Sequence, residues 1–195
     1  MSTKDLTKEQ SSLAVFRAKK FALWLFIIAS IMIFASLSSG YIVYTANGVD
    51  KGIKIILPKA FIWSTIFIVL SSITVHMAYL ATKKELTAKR RLYLLISIAL
   101  GTAFFVSQFN AWKVLVEQGA YFINNNASQS FIYVFTGFHL AHILGGVIVL
   151  LVAFFRKTER YTSAQNIAST ELGAMFWHFL DILWIYIYVF LLLNQ

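Results

Sequence analysis

The chain has no cysteine. Disulfides, thiolate metal centres and cysteine nucleophiles are therefore excluded. It has a single proline, Pro58, placed just before an apolar run, where a helix tolerates it. Charge is scarce: 13% of the 195 residues are charged, where a soluble domain carries about 25%. That deficit, with 59% apolar residues, makes this an integral membrane protein. A cleavable signal is not evident, because the first apolar run is too long for a signal core and lacks an A-x-A-type site. The net charge of +9 could suggest nucleic acid. The basic residues sit beside apolar runs, however, which is the pattern of membrane orientation, and no nucleic-acid partner is implied.

Apolar runs divide the chain into a polar, basic segment, 1–20, and a membrane domain, 21–195. Within the first segment, 12–20 could form a short interfacial helix, with the remainder flexible. Five spans follow, at about 21–44, 60–82, 92–112, 131–155 and 171–193, each near the roughly 20 residues that cross a bilayer. The links are a turn-rich stretch, TANGVDKGIKI, and the polar stretches EQGAYFINNNASQS and RKTERYTSAQNIAST. Neither a soluble domain nor an internal repeat is visible. The expected fold is all-α, a polytopic bundle of five transmembrane helices.

Lysine and arginine set the orientation. Lys4, Lys8, Arg17, Lys19, Lys20, Lys83, Lys84, Lys89, Arg90, Arg91, Arg156, Lys157 and Arg160 fall on one side. Lys51, Lys54, Lys59 and Lys113 fall on the other. The N-terminus is expected inside and the C-terminus outside.

The last span, ELGAMFWHFLDILWIYIYVFLLL, carries Glu171 at its start and His178 and Asp181 one turn apart. A carboxylate at mid-membrane costs roughly 2.5–3.5 kcal/mol on insertion scales, so Asp181 must face protein or water. Other spans carry polar or small residues at helical spacing. Ser64 aligns with Ser71, and Thr65 with Ser72, in the second span. Ser97, Gly101 and Gln108 share a stripe of the third. Gly137, Ala141 and Gly145 form a small-residue groove on the fourth, with His139, His142 and Gly146 on another face, so the fourth helix is expected mid-bundle. Counted by depth, His142 and Asp181 both lie near the midplane. His142 with Asp181, or His139 with His178, are the expected contacts between the last two helices. His76 lies near the depth of Glu171.

His-x-x-His admits three readings. The pair could share a metal, with His178 and Asp181 as further ligands. It could bind haem, given facing histidines at matched depth. Or it could belong to a hydrogen-bonded structural network locking the fourth helix to the fifth. Trp177, Trp184, Tyr186 and Tyr188 likewise suit packing and interfacial anchoring, or electron transfer.

At these residues the sequence resembles subunit III of the haem–copper oxidases, the cytochrome c oxidase subunit III family. TGFHLAHILGG, Thr136 to Gly146, is similar to the family's TGFHxxHxxxG, and WHFLDILWIYIYV, Trp177 to Val189, to its WHFxDxxWxxxY. Glu171 stands seven residues before His178, as the family's glutamate does. Gly101 with Gln108, and Ser71 with Ser72, also fit in place and order. The likeness covers all five spans and has the form of the five-helix bacterial members, which lack the first two helices of larger ones. Two carboxylate positions depart. LFIIASIMIF has Ser30 where the family has an intramembrane glutamate, and Ala111 and Trp112 stand where a Glu-Tyr pair is common.

The resemblance implies a subunit with no catalytic centre, redox centre or metal of its own. Haems and copper would lie in the partner subunit I. This chain would stabilise that subunit, support proton uptake near its entry path and hold phospholipid, in the cytoplasmic (inner) membrane of a bacterium, where a respiratory supercomplex is a further partner that the resemblance allows. His139, His142, Glu171, His178 and Asp181 would form its internal polar network. Three alternatives remain at this stage. One is an accessory subunit of a nitric oxide reductase. Another is a haem-bearing cytochrome using the four histidines. The last is a small transporter, which would be expected to show broken helices or inverted repeats, and neither is visible.

Overall fold

The computed structural model describes residues 3–46, 53, 56–123, 125–158 and 161–194, with side chains from residue 14 onward. They form five helices: α1 (Thr3–Ala46), α2 (Ala60–Lys83), α3 (Thr87–Glu117), α4 (Ala127–Phe155) and α5 (Ser163–Leu193). All five are long and apolar enough to cross a membrane. The protein is a multi-pass, all-helical membrane bundle.

Several helices outrun their apolar stretches, and local chemistry explains where they stop. No separate interfacial helix precedes the first span, because α1 is continuous from Thr3. At the other end α5 begins at Ser163, eight residues before Glu171, because Thr162 and Gln165 form a reciprocal capping box. α4 starts at Ala127, where the Asn126 side chain accepts from Ser128 N–H. α3 ends in a left-handed Gly119, with Ala120 N–H donating to Leu115 O at 2.9 Å. α2 ends the same way with Glu85 in the left-handed position, φ 57°, and Leu86 N–H donating to Ala81 O at 3.0 Å. The polar links are therefore shorter than composition suggests. Most of the first link, 45–55, lies outside the described residues.

α2 and α3 form an antiparallel hairpin. α5 packs on α2 and α4, and α4 closes the ring onto α3, while α1 rests on α4 and α5. α4 thus packs on α1, α3 and α5, while α5 packs on α1, α2 and α4, reaches α3 through its indoles, and is the most enclosed helix.

Lipid tails are as apolar as leucine, so this association depends on close packing and interhelical hydrogen bonds. Trp177 and Trp184, both fully buried and seven residues apart on α5, supply the packing. A Cβ added to Gly101 would lie 3.0 Å from Trp177, and one on Gly146 3.0 Å from the same ring and 2.8 Å from Leu180. The indole fills the space that these two glycines leave on α3 and α4. The expected groove of Gly137, Ala141 and Gly145 is not a packing seam. Added Cβ atoms at Gly137 and Gly145 meet nothing within 4 Å, and Ala141 is exposed. Gly146, one residue on, points at α5 instead. Trp184 stacks on Phe61 of α2 with ring centroids 5.8 Å apart, and meets Phe104 of α3 edge-on at 4.9 Å.

Candidate functional site

Serine and threonine hydroxyls set up the seams. In a helix they donate back to the carbonyl four residues earlier, as Ser30, Ser38, Ser64, Thr65, Ser97 and Thr136 do here. Their remaining hydrogen-bonding capacity is directed across to other helices. The two stripes of α2 serve different partners. Ser64 bonds Ser107 and Gln108 at 2.9 Å each, and Ser71 donates to Ser97 O at 3.3 Å, all on α3. Thr65 accepts from Trp184 Nε1 at 3.0 Å, and Ser72 lies 2.6 Å from His178 Nδ1, both on α5. One stripe zips the hairpin, and the stripe beside it carries α5.

The five residues singled out in the sequence fall into separate contacts. Asp181 is buried, with 4% of its surface exposed, so it does not face lipid. Its neighbour is not His142. Asp181 Oδ2 lies 3.8 Å from Nδ1 of His178, on its own helix, and Ser72 of α2 is the other polar group beside it. His178 completes this cluster toward α2, where its ring is 5.9 Å from that of His76. The expected His139–His178 contact is also absent. His139 is fully buried against Phe104 and Trp184, with centroids 5.6 and 5.2 Å away, and neither ring nitrogen has a protein hydrogen-bond partner among the described residues. His142 turns to α1, where its Nε2 is 3.1 Å from Ser30 Oγ while Nδ1 is 2.7 Å from Phe138 O. Glu171 pairs with Lys20 of α1 at 3.2 Å, not with His76.

The reason for the altered pairing lies in the register of α5. Trp177 and Trp184 fill the space toward α3 and α4, which leaves the face bearing His178 and Asp181 for α2. α4 and α5 are accordingly joined by ring and apolar contacts: His139 on Trp184, Phe135 with Phe190, and Gly146 under Trp177. The imidazoles of the His-x-x-His pair diverge, one into the ring and one toward α1. Among the described residues no three His, Asp or Glu side chains gather as a metal would need.

Ser30 is the informative departure. At the position where the resemblance leads one to expect a glutamate, this serine holds His142 and so links α1 to α4. Further links escaped the sequence reading, although their residue types were in view: Ser38 with Tyr186 at 2.6 Å, Trp112 Nε1 donating to Thr136 at 3.0 Å, and Tyr41 donating to Asn194 O at 3.0 Å. Arg90, counted as a loop charge, is 2% exposed and donates through Nη2 to Ala153 O of α4 at 2.5 Å.

A five-span membrane bundle results, pinned inside by hydrogen bonds and indoles, with both late motifs turned inward. The model of cytochrome c oxidase subunit III matches residues 2–194, and the chain belongs to that family. Among curated relatives it is 30% identical over 171 residues to cytochrome c oxidase subunit 3 of Corynebacterium diphtheriae, covering 84% of this chain and 82% of the relative. It is 29% identical over 171 residues to the cytochrome bo(3) ubiquinol oxidase subunit 3 of Pseudomonas aeruginosa, covering 86% and 81%. It is 25% identical over 167 residues to cytochrome c oxidase subunit 3 of Bacillus sp. PS3, covering 85% and 80%.

Proposed function

We propose that this chain is the non-redox third subunit of an oxygen-reducing bacterial haem–copper terminal oxidase. It lies against a catalytic subunit I that carries the haems and copper. The observation that carries this reading is the family match from residue 2 to 194, with both late motifs intact. The geometry supports an accessory role. Most of the polar side chains of the spans bond to one another inside the bundle. The outer surface is apolar, with Phe21, Trp24 and Met32 of α1 and Ile62 and Trp63 of α2 exposed. Such a body associates sideways, with other subunits and with phospholipid, and supports proton uptake by holding the catalytic subunit in shape. The concentration of Lys and Arg on one set of links supports an N-terminus inside and a C-terminus outside the bacterial inner membrane. Membership of a respiratory supercomplex would use the same apolar faces.

The electron donor is set elsewhere in the complex. Relatives of similar identity carry the names of cytochrome c and of ubiquinol oxidases. The test is extraction in a mild detergent through a tag on this chain, followed by mass spectrometry of what co-elutes. Recovery of a haem–copper oxidase subunit I is expected. Recovery of a nitric oxide reductase catalytic subunit, or of the chain by itself, would overturn the reading.

A further inference from the structure

We propose that the cavity between the α2–α3 turn, the first turn of α3 and the α4–α5 link is a binding site for a phosphate-class oxyanion, presented by a phospholipid headgroup or free in solution. The cavity has a volume of about 280 Å³, and Thr82, Thr87, Arg90, Thr158, Tyr161 and Asn166 are among its lining residues.

Arg90 is the reason to expect an anion there. Its guanidinium stays charged at any physiological pH, and it is almost wholly buried. One nitrogen, Nη2, is occupied by Ala153 O, while Nε and Nη1 have no acceptor among the described residues. A buried charge is tolerated when paired, and no carboxylate forms an ion pair with this one among the described residues. Arg91 and Arg156 add like charge around it. The single described carboxylate on the rim, Glu85, is exposed and makes no bond to Arg90. Nε–H and Nη1–H lie on different edges of the guanidinium, and each can give a phosphate oxygen its own charge-assisted bond.

The backbone points the same way. Arg90 sits in the first turn of α3, and the residue preceding that helix, Leu86, gives it no side-chain cap. Thr87 and Arg90 N–H are already bonded to Glu85 O and Leu86 O, so the backbone contributes the positive end of the α3 dipole at this end of the helix. Hydroxyls of Thr82, Thr87, Thr158 and Tyr161 surround the cavity, and Asn166 Oδ1, also buried and unpartnered, can accept from a P–OH or headgroup hydroxyl. The cavity lies where α2 ends and α3 begins, at a helix end flanked by Lys83, Lys84, Lys89 and Arg91. That is the level at which lipid phosphates and dissolved anions are both at hand. The lipid source would extend the phospholipid binding proposed above. A buried guanidinium with two unpartnered nitrogens calls for an anion whatever reaction the complex carries out.

The test uses the chain within the complex it travels in, purified and delipidated in detergent. One arm titrates inorganic phosphate. The other reconstitutes the complex into phosphatidylglycerol nanodiscs, with detergent as the reference. Both read hydrogen–deuterium exchange of 82–91 and 158–166. Slowed exchange with inorganic phosphate assigns a free anion, and slowed exchange in the nanodiscs alone assigns a lipid headgroup. Arg90→Gln should weaken the protection about tenfold in the responding arm, the effect of one lost charge-assisted bond, while Arg91→Gln leaves it unchanged. No protection in either arm, or equal protection in Arg90→Gln and the parent, overturns the proposal. If Arg90→Gln does not assemble, Thr87→Val, which keeps the Arg90–Ala153 bond, takes its place. Weakened protection then supports the site, and unchanged protection overturns it.

Discussion

Asp181 shows how a membrane bundle keeps a carboxylate. It is taken out of lipid by α2 and α5 together, with His178 at 3.8 Å and Ser72 beside both. Replacing it with leucine removes the group that His178 and Ser72 surround at the α2–α5 seam. Asp181→Leu should therefore lower the yield of this chain with its partner subunits severalfold, and Asp181→Asn should restore most of it. Densitometry of the tagged complex measures both. Unchanged recovery of the leucine variant would mean that the cluster is incidental. A sharper contrast comes from two adjacent glycines. Gly146→Val drives a branched side chain into Trp177 and Leu180 and should cost about 1–3 kcal/mol, as overpacking does. Gly145→Val meets open space and should change the melting midpoint little. Thermal denaturation followed by tryptophan fluorescence separates the two. Equal melting temperatures would contradict the placement of Trp177.

At the scale of helices, much was legible. Apolar runs located all five spans, and period-seven spacing correctly isolated two serine–threonine stripes on α2. Sequence could not tell which helix each stripe would meet, since that depends on how the neighbours are turned. The turn of α5 is decided by where two indoles fit. The glycine groove failed for that reason: Gly137 and Gly145 are spaced as a seam, but the fitting partner for Trp177 is Gly146. Depth counting put His142 level with Asp181 and was silent on direction, and the two point to opposite sides of the bundle. Helix ends were misjudged where apolarity was used alone. TSAQ before α5 was a readable capping box, and NNNASQ held the Asn126 cap. The α2–α3 turn offers a prediction of its own. Glu85 occupies a left-handed conformation that costs a residue with a side chain roughly 1–2 kcal/mol. Glu85→Gly should stabilise the bundle by about 1 kcal/mol and so raise its thermal midpoint. A lowered midpoint would mean that the Glu85 side chain holds the turn.

The molecule as a whole is polar at its seams and apolar outside, with its basic residues gathered at one end. Because the chain has no cysteine, its topology can be mapped without preparing a background. Lys84→Cys should be shielded from a membrane-impermeant maleimide added to spheroplasts, and Glu117→Cys should be labelled. The reverse pattern would invert the orientation. Ser30 fits the same view. A neutral serine bonded to His142 makes the α1–α4 contact without a buried charge. A supporting subunit leaves every chromophore in its partners. The measurement is to purify the complex through this chain, record its reduced-minus-oxidised visible spectrum and copper content, then dissociate this subunit and measure both fractions again. Haem bands and copper should remain wholly with the partner subunits, leaving this chain colourless. Haem or copper travelling with the separated chain would contradict a purely supporting role.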